Sequence, residues 1–104
     1  MIVVKIQENV DGKIIGYKLE GHSNIAPRGF DIICAGVSTL AQTTLYGLRD
    51  YLRFNVECKI DDGLFDVKLK GIPDSRSEAL LRTMLIGLNE FATKAPQIVS
   101  IVYL

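Results

Sequence analysis

Gly21-His22, a short loop, and then Gly29-Phe30-Asp31-Ile32-Ile33-Cys34-Ala35-Gly36-Val37-Ser38 set the chain's one histidine and a cysteine on either side of a connection. The cysteine falls in what reads as the first turn of a long helix. Unpaired backbone N–H groups and the helix dipole favour a thiolate there. A neutral imidazole within reach can take the thiol proton, so the pair suggests a cysteine nucleophile with a histidine base. The N–H groups of Ile33 and Cys34 would face an attacked carbonyl and form an oxyanion site. Asp31 has two readings, a carboxylate that caps the helix or one that orients the His22 imidazole.

A lone cysteine is more often a small core residue. Three features argue otherwise for Cys34. It lies three residues after the cap position, a glycine-containing loop precedes it, and its neighbours Gly36 and Ser38 are small or polar. Ile33 and Val37 already define the core stripe, and Cys34 lies about 100° round from it.

The elements that must position this pair follow from hydrophobic periodicity. Ile2, Val4 and Ile6 alternate with polar residues as a strand over residues 2–8. Asn9-Val10-Asp11-Gly12 is a turn, and Ile15, Tyr17 and Leu19 give the second strand of a hairpin that ends at Gly21-His22. Residues 23–30, with Pro27 and Gly29, are a loop and a candidate gate over substrate. Ile33, Val37, Leu40, Ala41, Leu45, Leu48 and Leu52 recur at helical spacing and predict a helix ending near Arg53 or Phe54. Val56, Cys58 and Ile60, the turn Asp62-Gly63, and Phe65, Val67 and Leu69 predict a second hairpin, with Cys58 on its core face. Ser75-Arg76-Ser77-Glu78 matches a capping box for a second helix, whose apolar stripe includes Leu81, Met84, Leu85, Leu88, Phe91 and Ala92. Residues 98–104 read as a strand buried on both faces or partly against another subunit. The order β-β-α-β-β-α-β predicts an α+β fold, a mostly antiparallel sheet with two helices packed on one face.

The chain has 104 residues, which fits one domain over residues 1–104. Lysine plus arginine and aspartate plus glutamate each total 12, and this zero net charge weighs against direct nucleic-acid binding. No signal peptide or membrane span is readable, so a cytoplasmic protein with reduced Cys34 and Cys58 is expected. One histidine cannot complete an ordinary zinc site with two cysteines that lack C-x-x-C spacing, and no cofactor is expected. Asp61-Asp62-Gly63 is a turn rather than a calcium loop, and Gly29 with Gly36 lacks phosphate-loop spacing.

Gly21-His22 together with Gly29-x-Asp31-Ile32-Ile33-Cys34-Ala35-Gly36-Val37-Ser38 resembles the ribosomal-processing cysteine protease family, Prp. Thr83-Met84-Leu85-Ile86-Gly87-Leu88 also resembles that family's second helix, so the likeness spans nearly the whole chain. The resemblance implies a homodimeric endopeptidase that removes a short N-terminal extension from a bacterial large-subunit ribosomal protein. It implies that His22 and Cys34 are the dyad and Asp31 the nearby acidic residue. Gly21, Ser23, Gly29, Phe30 and Ser38 would then belong to the motif and the substrate loop. Ser23 stands where the family often has alanine. Two rival readings remain at this point. One is a non-catalytic ribosome-associated assembly or binding protein in which the motif only caps a helix. The other is a redox thiol protein, which has no resolving cysteine nearby in sequence.

Overall fold

The apolar alternation at the N-terminus closes into a hairpin of β1 (Ile2–Glu8) and β2 (Ile14–Glu20), with Val4 opposite Leu19 and Ile6 opposite Tyr17. The computed structural model describes residues 1–21 and 30–104, the side chains of Phe30 and Asp31 excepted. The Asn9 side chain holds the turn by accepting from the N–H groups of Asp11 and Lys13, both at 3.0 Å. Gln7 pairs with Gly16 but Glu8 pairs with Ile14, so Ile15 is one residue too many and forms a bulge. The bulge changes the expected phase. Ile14, rather than Ile15, is fully buried with Tyr17 and Leu19.

Chain order continues through α1 (Phe30–Tyr46), β3 (Val56–Asp61), β4 (Leu64–Leu69), α2 (Ser75–Lys94) and β5 (Val99–Tyr103). The sheet runs β3-β4-β2-β1-β5 and is antiparallel except where β5 joins β1. Both helices cover one face. Val4, Ile6, Tyr17 and Val67 from the sheet meet Val37, Ala41 and Leu45 from α1 and Leu81, Met84 and Leu88 from α2 in a single buried cluster. The predicted α+β class and element order therefore hold. Tyr17 fastens the sheet to α1 by donating its hydroxyl to the Ala41 carbonyl at 2.8 Å. Burial pushes its phenol well above the usual tyrosine range, helped by the charge of Cys58, so it stays a donor.

Four further sequence expectations change. The first helix ends at Tyr46 and continues as a π-helical turn, Gly47–Tyr51, instead of reaching Arg53 or Phe54. That turn starts at Gly47, where Leu80 of α2 comes so near that a Cβ would lie 3.1 Å from it. The cap of α2 is Asp74, not Ser75. Its carboxylate accepts from the N–H groups of Arg76 and Ser77, and the Ser77 hydroxyl accepts from the Asp74 N–H at 3.0 Å. The strand β5 is an edge. Only Val99 in it is fully buried, and Val102 and Tyr103 are exposed. Finally, β3 is the opposite edge, and Cys58 is exposed there instead of buried. Cys58 pairs across from buried Val67, so the expected face is right, but the helices do not reach that far.

Glu78, freed from capping, accepts from the Ile14 N–H at 2.6 Å and from Arg82 at 3.1 Å. Arg82 also bonds Glu8 at 2.9 Å and the Gly12 carbonyl, tying the first hairpin to α2. We expect Arg82→Ala to cost about 1 kcal/mol after solvent screening of this partly exposed network. Urea unfolding would show it as a lower midpoint with an unchanged slope.

Candidate active site

Cys34 is the fifth residue of α1 and is half-buried, packed beside the core. Helical side chains lean towards the N-terminus, so its sulfur lies over the first turn, where the helix field favours a thiolate. Directly behind it the two helices come into close contact. A Cβ on Gly36 would lie 2.5 Å from the ring of Phe91 on α2, which gives the Cys-Ala-Gly run a packing reason.

The thiol opens into a groove of about 410 Å³. One wall is a row on α1 made by Cys34, Ser38 and Gln42. The other is formed by the sheet, with Leu19 and Gly21 at the end of β2 and Ile60 to Phe65 from the second hairpin. Asp61, Asp62 and Gly63 form the rim at the turn of that hairpin. Gly21 donates its N–H to the Gly63 carbonyl at 2.9 Å, so the segment that leads into His22 is bonded to the rim. The groove thus joins the end of β2, the start of α1 and one hairpin turn. That geometry leaves room for an extended chain beside the thiol.

Gly21, Cys34 and Ser38 of the expected site come together around this groove. His22, Ser23 and Gly29 lie outside the described residues, as does the 23–29 part of the candidate gate. Phe30 and Asp31 are the first two residues of α1, which puts Asp31 in the first turn rather than at the cap. The expected oxyanion donors are displaced by the same boundary. Amides without intrahelical acceptors belong to the first positions of a helix, whereas Ile33 and Cys34 are the fourth and fifth residues of α1. The Cys34 N–H is in register with the Phe30 carbonyl and belongs to the helical ladder.

Sequence reasoning missed Gln42, Ile60, Asp61 and Asp62 as groove residues. Gln42 was legible, since positions 34, 38 and 42 share one helical row. The other three were not, because their place depends on β4 pairing with β2, a long-range event with no local signal. Among the described residues, no group of three or more His, Cys, Asp or Glu is placed to hold a metal ion.

The profile of the family described as "Cysteine protease Prp" matches residues 1–100. The ribosomal processing cysteine protease Prp of Staphylococcus aureus is 28% identical over 90 residues, covering 85% of each chain. The fold is similar to a crystal structure of the essential ribosomal processing protease Prp from S. aureus with a substrate peptide. The TM-score is 0.92 at 24% identity, over 100% of both chains. A second structure of that protease, with a covalently linked product peptide, gives a TM-score of 0.89 at 24% identity, again over 100% of both chains.

Proposed function

Since the chain belongs to the cysteine protease Prp family, we propose that it removes a short N-terminal extension from a bacterial large-subunit ribosomal protein, as one catalytic domain over residues 1–104. The observation that carries this is Cys34 opening into a groove beside the start of α1, in a chain whose family match includes it.

Cys34 is the nucleophile and His22 its base. His22 takes the thiol proton, and the sulfur bonds to the scissile carbonyl carbon. The field at the N-terminal end of α1 favours the negative charge first on sulfur and then on oxygen. Collapse of the tetrahedral intermediate breaks the C–N bond, His22 passes its proton to the departing amine, and water hydrolyses the thioester. Asp31, in the first turn, orients the imidazole, and Gly21 fixes the chain that leads to it. The S. aureus relative crystallised with a covalently linked product peptide supports a route through covalent attachment.

We place the protein in the cytoplasm as a homodimer, with no direct nucleic-acid contact. The apolar end of β5 supports self-association, with Val102, Tyr103 and Leu104 exposed by 40%, 52% and 69% along a sheet edge. Light scattering at micromolar concentration is expected to give twice the 11.5 kDa chain mass, and a monomer would refute the dimer. The activity test is incubation with the host's ribosomal proteins bearing such extensions, read by intact mass. One cut near the N-terminus, lost in Cys34→Ala, is the expected result; an uncut extension would overturn the reading.

A further inference from the structure

Thr39, Thr44 and Thr83 turn their hydroxyls onto carbonyls four residues back, at 2.7, 2.8 and 2.6 Å. Ser38 and Gln42 do not. Among the described residues, no hydrogen bond ties the Ser38 hydroxyl or the Gln42 carboxamide to another group, and both are exposed on the wall of the Cys34 groove.

Their spacing fits an extended chain. Residues 34, 38 and 42 rise about 6 Å per step along α1. An extended peptide repeats every second residue at about 6.6 to 6.8 Å. Over the roughly 12 Å from Cys34 to Gln42, the two repeats stay nearly in step, a span of three to four peptide residues. Side chains that point away from α1 then meet the opposite wall, where Leu19, Ile60 and Phe65 are apolar. A carboxamide carries both donor and acceptor, so one Gln42 can pair with a backbone C=O and N–H at once.

We propose that Gln42 is a substrate-positioning residue that hydrogen-bonds the backbone of the bound peptide three to four residues from the scissile bond, with Ser38 contacting it midway. The proposal rests on the protease reading of Cys34 and adds how far, and by which groups, the substrate is held. Because the bond is to backbone, Gln42 contributes whatever side chain the substrate carries at that position.

The test uses fluorescein-labelled peptides that span the extension of the ribosomal protein, shortened one residue at a time from each end. Binding is read by anisotropy with Cys34→Ala protein, and cleavage with the intact thiol. Gln42→Ala should weaken the full-length peptide about 5- to 10-fold, as expected for one hydrogen bond, with the loss in KM rather than kcat. The difference should vanish once one end is trimmed to within about three residues of the cut. An N-methyl group on the contacted amide should weaken the wild type and leave Gln42→Ala indifferent. An equal loss at every length would mean a structural role, and no loss at any length would mean no contact; either overturns the proposal. Length-dependent binding without cleavage would sink the protease reading and leave only a contact between Gln42 and the peptide backbone.

Discussion

Cys34→Ala is expected to reduce the turnover of a cleavable peptide by at least about 10⁴-fold, because removing a nucleophile removes the whole covalent route. The fold should survive. The side chain is half-buried and small, so losing its sulfur leaves at most a minor void, worth about 1 kcal/mol or less. Cys58→Ala should leave cleavage intact, since Cys58 is exposed on β3 and does not line the groove. That exposure makes Cys58 a built-in reference thiol. Iodoacetamide at pH 6.5 should modify Cys34 faster than Cys58, because the thiolate is the form that alkylates and the field at the start of α1 favours it on Cys34. Cleavage that persists in Cys34→Ala, or a Cys34 that alkylates no faster than Cys58, would contradict the assignment.

Most of the fold was legible because its signals are local. The alternation of Ile2, Val4 and Ile6, the Asn9 to Gly12 turn and the stripe from Val37 to Leu48 each appear as elements in the structure. Misreadings arose where one element's surroundings depend on another far away in sequence. Period-two alternation gave Cys58 its correct face but could not show that β3 is an edge. The same limit applies to residues 98–104, whose apolar run reads as a strand buried on both faces or partly against another subunit, and β5 borders the sheet on one side. Asp74 and Ser75 were both competent caps, and the choice depended on whose carboxylate or hydroxyl reached the third amide. At the site, composition marked Cys34 and its small neighbours, and the spacing of Ser38 and Gln42 marks the groove wall. The rim at Asp61 to Gly63 required the β2–β4 pairing.

Gly21→Ala should be the most damaging of the conservative substitutions near the site, although it removes no chemical group. Gly21 has φ +99°, a conformation that L side chains rarely adopt. A Cβ there would also lie 2.4 Å from the Met1 carbonyl oxygen. That neighbour is backbone at the start of β1, so relief requires one chain segment to move. Either the end of β2 shifts and strains the Gly21 N–H bond to Gly63, or residue 1 is pushed off the sheet. The backbone conformation alone costs about 1 to 3 kcal/mol, read as a lower urea midpoint. The first route also strains the chain that leads into His22, the proposed base. A displacement of about 1 Å between reacting groups is worth on the order of 10²-fold in rate. Cleavage by Gly21→Ala, measured well below its melting temperature, should therefore fall by about that factor while Cys34 still reacts with iodoacetamide. Met1 offers a control for the alternative route. If displacement of residue 1 absorbs the clash, Gly21→Ala will be destabilised yet cleave at the wild-type rate, and the precise seating of the β2 end is then not what sets the rate.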